Sequence, residues 1–136
     1  MRQIRIRQRG DSQSGALILS YVIIVPVFLA ALMVVVQGSL WYLAREAALA
    51  AARQGVDAAR VRHAPTGAGP LAALAFAHSA ASAYLLLPHA TQSALAGDTA
   101  PTVQITVTGH VPVIVPGLPI TVTQVAQAPV EQFTTP

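Results

Sequence analysis

With 136 residues, no cysteine and a formal net charge of +3, the chain has room for one small domain beside its N-terminal segment. The lack of cysteine excludes a disulfide framework, a thiolate metal site and a cysteine nucleophile. Charged residues make up only 10% of the chain, against roughly a quarter in ordinary soluble proteins, and Ala, Val and Leu fill the difference, which suits a chain shared between lipid and packing surfaces.

All eight basic residues are arginine, and Arg2, Arg5, Arg7 and Arg9 precede a long apolar run. From residue 16 onward Arg45, Arg53, Arg60 and Arg62 balance Glu46, Asp57, Asp98 and Glu131. A nucleic-acid partner would need basic residues spread over a folded face with stacking aromatics; the pattern here is instead a basic cluster beside a membrane span, so no nucleic acid is implied. Residues 16–36 carry no charge, and at a rise of about 1.5 Å each these 21 residues cover about 31 Å, enough to cross a hydrocarbon core. The positive-inside rule keeps the arginines in the cytoplasm and sends everything after residue 43 outward, as a single-pass cell-membrane protein. Trp41 and Tyr42 then fall where interfacial aromatics are expected. Pro26 removes one backbone donor inside the run and predicts a helix kink. A cleaved secretory signal is the competing reading, but its apolar region would be shorter and would end in a small-x-small site, whereas this run ends in Gln37-Gly38-Ser39-Leu40-Trp41.

The helical pattern continues over residues 44–62, an Ala-rich stretch with no Pro and one Gly. Arg45, Glu46, Arg53, Gln54, Asp57 and Arg60 fall on one half of the wheel, with room for i,i+4-type ion pairs. Small residues fill the other half, and Ala48, Ala52, Gly55 and Ala59 form a face that lets another backbone approach closely. Two partners fit that face: the chain's own C-terminal domain, or a helix of another subunit.

Residues 63–69 (HAPTGAG) read as a break. A second helix is expected from near Pro70, a favoured first helical residue, with Leu71, Leu74, His78, Ala81 and Leu85 on one apolar stripe at helical spacing and Pro88 ending the run. Residues 90–95 form a short strand and residues 97–101 a turn. In residues 103–108 Val103, Ile105 and Val107 alternate with Gln104, Thr106 and Thr108, the period of a half-buried strand. Val111, Val113 and Val115 keep that parity, so the strand is expected to continue past Gly109 through a bulge or bend. Val115-Pro116-Gly117-Leu118 suits a type II turn, and residues 120–124 return as a third strand. Pro112 and Pro119 are expected at edge or non-bonded positions. The fold class is therefore α+β: a long N-terminal transmembrane helix extending into an Ala-rich helix, then a small αβββ antiparallel-sheet domain. The chain divides into a basic leader (1–15), a transmembrane and extended helix (16–62), a linker (63–69) and an extracytoplasmic domain (70–136).

Residues that could carry chemistry are few. His63, His78, His89 and His110 are far apart, without HxH or HExxH pairing and with few carboxylates near them, so no metal site and no cofactor is indicated. His78 is read as a partly buried helix residue. Ser12 and Ser14 lie between glycines, but a nucleophile elbow needs a strand-to-helix turn with His and acid partners. With no lysine in the chain there is no Walker motif. The PxxP of Pro116 and Pro119 reads as a hairpin turn, and the carboxylates are too scattered for an acid/base pair.

The order of basic leader, Gly15, apolar helix with Pro26 and then Trp41-Tyr42-Leu43-Ala44-Arg45-Glu46-Ala47-Ala48 closely resembles the TadE-like family, minor pilin-like proteins of tight-adherence (Flp-type) pilus systems. Residues 103–108, the turn at Pro116 to Pro119, residues 120–123 and the ending Pro129-Val130-Glu131-Gln132-Phe133 look like actinobacterial members. The resemblance implies a structural, non-enzymatic pseudopilin whose partners are the lipid membrane, other pilus subunits and assembly-platform proteins. It also implies a prepilin peptidase that cuts between Gly15 and Ala16. Ser20 departs from the pattern, since pilin-like substrates usually carry Glu at that fifth position after the cut. The alternative from another class is a membrane-tethered extracytoplasmic module that binds a cell-wall or surface ligand.

Overall fold

The computed structural model describes residues 11–95, 101–114, 117 and 119–131, with the side chains of the first helix described from Ser20 onward. The arginine leader up to residue 10, most of the turn at 97–101, Val115, Pro116 and Leu118 of the turn at 115–118, and Gln132 and Phe133 lie outside the described residues. The elements run α1 (Asp11–Ala59), α2 (Ala68–Ala80), β1 (Leu86–Leu95), β2 (Thr102–His110) and β3 (Thr121–Pro129). A long apolar helix, a second helix and a three-stranded antiparallel sheet are the α+β arrangement that the residue patterns predict. The chain forms two compact units, Met1–Val36 and Gln37–Pro136, and α1 contributes to both.

The sheet order is β1-β2-β3, so the strand with the clearest alternation is the central one. Val103, Ile105, Val107 and Gly109 of β2 face the core, while Gln104, Thr106 and Thr108 lie on the opposite face. Registers Ile105↔Ala126, Val107↔Gln124 and Gly109↔Val122 put the inward residues of β3 in the same layer. Over that face lie residues 44–56 of α1, with α2 packed beside them. Among the described residues, eight of the fifteen buried apolar side chains are alanine, and the largest fully buried ones are Leu85, Ile105, Val107 and Val111. The core is thin, so backbone proximity matters more in it than bulk.

Several boundaries differ from the expected ones. α2 begins at Ala68, which places Pro70 within the first turn, where its missing N–H has no helical acceptor to lose. It stops at Ala80; the amides of Tyr84 and Leu85 both donate to the Ala81 carbonyl, at 2.9 Å each, and this turn drops Leu85 into the core. Of the expected stripe of Leu71, Leu74, His78, Ala81 and Leu85, Ala81 and Leu85 are buried and Leu74 packs against the core, while the other two turn outward. Leu71 is 69% exposed and His78 is exposed, while Gly69, Ala73 and Ala77 face inward. Proximity to α1 selects the small face of α2 rather than its bulky one.

β1 starts at Leu86, before Pro88, because its register with β2 slips between Leu86 and His89. Pro88 sits in that irregularity of an edge strand, where it need not donate to the ladder. β2 ends at His110 rather than running on to residue 115, and Val111 bonds the Ile120 carbonyl at 2.9 Å as the chain leaves the sheet. β3 extends to Pro129, five residues beyond the expected end. Gly117 has φ +92, the left-handed conformation that a type II turn demands of its third residue.

Candidate functional site

The first unit offers an unusual surface. Tyr21, Val22, Ile23, Ile24, Val25, Val27, Phe28, Leu29, Leu32, Met33, Val34, Val35 and Val36 are all exposed. At about 100° per residue, the consecutive Val34, Val35 and Val36 point in three directions, so no side of this helix is covered. Leaving a dozen such side chains in water would cost on the order of 20 kcal/mol, at about 1.5–3 kcal/mol each. That far exceeds the stability of a typical domain. Among the described residues one helix stretch, within Ser20–Ala59, is long and apolar enough to cross a membrane, and nearly all of its apolar window is uncovered. Gly15, Ala16 and Ser20 lie within α1, and Pro26 sits inside it without ending it.

At Gln37 the environment changes. This residue is 7% exposed although the sixteen before it are exposed. Its Nε2 donates to the Pro112 carbonyl at 3.3 Å and its Oε1 accepts from the Ile114 amide at 3.0 Å. One side-chain amide thus satisfies two backbone groups of the segment after β2, as a neighbouring strand would. Gln37→Leu is expected to leave both groups without partners, at about 1–3 kcal/mol each. The check is amide hydrogen exchange in the full chain, where the Ile114 amide should lose its protection; unchanged exchange would show the pairing to be dispensable.

The small-residue face has its cover within the chain. Ala48 and Ala52 are fully buried, Gly55 is buried and Ala59 is half-buried. A Cβ placed on Gly55 would lie 2.8 Å from the Gly69 carbonyl oxygen and 3.0 Å from both Ala73 Cβ and Ile105 Cγ2. Facing it, a Cβ on Gly69 would lie 2.9 Å from Ala59 Cβ and 2.6 Å from Ile105 Cδ1. The two glycines bring the α1 and α2 backbones together, and Ile105 wedges under both. Of the two partners that the face could have had, this chain's own α2 and β2 occupy it.

On the other side of α1, Arg45, Glu46, Arg53 and Asp57 are exposed. The Arg45 guanidinium stands 5.9 Å from the centroid of the Trp41 ring, and Arg60 Nε pairs with Asp57 Oδ1 at 3.2 Å, an exposed i,i+3 bridge. Such surface contacts contribute at most about 1 kcal/mol each. All four histidines are exposed, and His110 Nδ1 lies 3.3 Å from the Thr121 hydroxyl. Among the described residues no three His, Asp or Glu side chains converge. Gln37 was legible only as a lone polar residue directly after an apolar window, a weak signal.

Residues 15–57 match the model of the TadE-like protein family. The match falls within α1 and takes in the uncovered apolar stretch, Gln37 and most of the small-residue face. No curated protein and no solved structure matches the chain.

Proposed function

We propose, from a chain whose residues 15–57 are TadE-like, that this protein is a single-pass, non-enzymatic, pseudopilin-like component of a tight-adherence pilus assembly system. The observation that carries the reading is the helix stretch apolar on every side, inside the matched segment. Its arginine leader stays in the cytoplasm and its folded unit is extracytoplasmic, as the positive-inside rule requires. The reading includes a prepilin peptidase that cuts between Gly15 and Ala16. Ser20 brings no carboxylate to the pilin-type contact with a neighbour's new amino terminus, so contact with other subunits falls to the folded unit.

N-terminal sequencing of the native membrane-fraction protein tests this. Ala16 as first residue is the expected result; Met1 would remove the processing step and leave an uncut anchor; a first residue beyond position 43 would overturn membrane anchoring altogether. Orientation is read by an impermeant thiol reagent, because the chain has no cysteine of its own: Arg62→Cys should react in intact cells.

One observation favours the second reading, a tethered ligand-binding module. The sheet face away from the helices presents Thr91, Thr106, Ser93, Gln104, Thr108 and Thr123, an uncharged array of hydroxyls and amides that suits a hydrogen-bonding ligand such as a cell-wall glycan. Adjacent genes for a secretion ATPase and two polytopic platform proteins favour the pilus reading; their absence, with binding to isolated cell wall, would favour this one.

A further inference from the structure

Apart from Arg45, Glu46 and Arg53 on the outer side of α1, the folded unit holds its charges unevenly. Between Arg62 and Asp98, and again between Asp98 and Glu131, the sequence holds no Asp, Glu, Lys or Arg. The Glu131 amide donates to the Arg60 carbonyl at 3.0 Å, so the end of β3 meets the end of α1 where Asp57, Arg60 and Arg62 gather. The opposite end of the sheet is built from Leu86 paired with His110, His110 paired with Thr121, and the segment 111–114 that follows β2. Its described side chains include no Asp, Glu, Lys or Arg, and Leu86, Leu87, Val113 and Ile114 are exposed there.

Leu87 stands out among them. It is 81% exposed and has φ +48, a backbone conformation unfavourable for a residue with a bulky side chain. That conformation falls in the register slip between Leu86 and His89, where the irregular strand leaves the Leu87 side chain uncovered. Ile114 shows what lies near. Its amide is bound by Gln37, the residue directly after the apolar window that ends at Val36. The loop carrying Val113 and Ile114 is therefore tied within one side chain's length of the point where the apolar window ends.

We infer that this end of the folded unit, through Leu86, Leu87, Val113 and Ile114, inserts into the headgroup-to-acyl boundary of the membrane that the anchor crosses. The inference rests on the reading of residues 16–36 as a membrane span. Lipid is the occupant because the patch is uncharged, apolar and tied, through the Ile114–Gln37 hydrogen bond, to the residue that directly follows a segment reading as a membrane span. Trp41 and Tyr42, both exposed in the next turn of α1, are the residue types that settle at this depth. The charged end beyond Arg60 is directed to water by the same argument.

The test uses the full chain in vesicles of phosphatidylcholine with one quarter phosphatidylglycerol. Single cysteines at Leu87→Cys, Ile114→Cys, Leu71→Cys and Phe28→Cys carry an environment-sensitive NBD fluorophore, and doxyl-labelled lipids act as quenchers. Leu87→Cys and Ile114→Cys should emit to the blue and lose most of their signal to a doxyl group high on the acyl chain. Leu71→Cys, on α2, should lose none, and Phe28→Cys should be quenched by a doxyl group near the chain end. Quenching at Phe28→Cys without quenching at Leu87→Cys and Ile114→Cys would overturn the inference and leave the anchor standing. No quenching at Phe28→Cys would overturn the anchor and the inference together. A blue shift at Leu87→Cys that no lipid quencher reaches, with energy transfer between labelled copies, would assign the patch to a second copy of the chain instead.

Discussion

Gly55→Leu is expected to unfold Gln37–Pro136 while leaving the chain in the membrane. A single Cβ at this position already stands 2.8 Å from a backbone oxygen of Gly69, an atom that cannot rotate away. Leucine adds three further carbons to a space that also holds Ala73 Cβ and Ile105 Cγ2, each at 3.0 Å from the first. Overpacking of this kind costs about 1–3 kcal/mol where neighbours can shift and more where they are backbone. The core here is mostly alanine, so we expect the loss to exceed about 3 kcal/mol, much of the stability of a small domain. Gly55→Ala separates the terms: the added methyl costs about 1–3 kcal/mol in crowding and gains about 1 kcal/mol in helix propensity, so it should fold with reduced stability. Protease resistance of residues 60–131 in proteoliposomes, with alkaline extraction as the insertion check, reads both variants. Wild-type resistance for Gly55→Leu would refute the close crossing of α1 and α2. If Gly55→Leu also stops co-purification with pilus components, that loss follows from unfolding and does not by itself map an intersubunit face.

The second large effect centres on Ile105, which is fully buried beneath both glycines. Ile105→Ala should cost about 2–5 kcal/mol, measured by denaturant unfolding of the full chain in nanodiscs. The geometry also predicts a sign of coupling. A methyl on Gly69 meets Ile105 Cδ1 at 2.6 Å, and Ile105→Val removes that carbon. Gly69→Ala and Ile105→Val should therefore each destabilise alone, yet the double variant should be more stable than the sum of the two losses predicts, by about 0.5–3 kcal/mol. Simple additivity would mean that Ala59 Cβ, 2.9 Å from the same methyl, sets the cost instead.

The central strand and the membrane helix were the most legible parts of the chain, for opposite reasons. Val103, Ile105 and Val107 alternate with polar residues because one face of β2 is buried and the other is not. Residues 16–36 show no periodicity, and from Ser20 to Val36, where the side chains are described, no face of the helix is sheltered by protein. The facing of α2 differs from the expected one at Leu71, because a large apolar residue is the usual sign of an inward side and Leu71 is exposed. The inward side is set by how closely two backbones approach, and that depends on Gly55, a residue distant in sequence. The expected β1 is short because Pro88 reads as the stop of the preceding helix; the register slip opposite Gly109 makes room for it in the strand. Gln37 shows the limit of local reading, since its two partners lie 75 and 77 residues further along the chain.

The TadE-like match and the sheet core meet on one helix. Ala44, Ala48, Ala51, Ala52 and Val56 lie within the matched segment and are also buried core residues of the folded unit. A membrane protein whose outer domain hangs from a flexible stalk can be shed: one proteolytic cut releases an intact soluble head. No such cut is open to this chain between Gln37 and Ala59, because breaking α1 there strips the sheet of its cover. A cut within this part of α1 would leave neither fragment with a complete core, so the folded unit survives only while the helix is intact from Gln37 to Ala59.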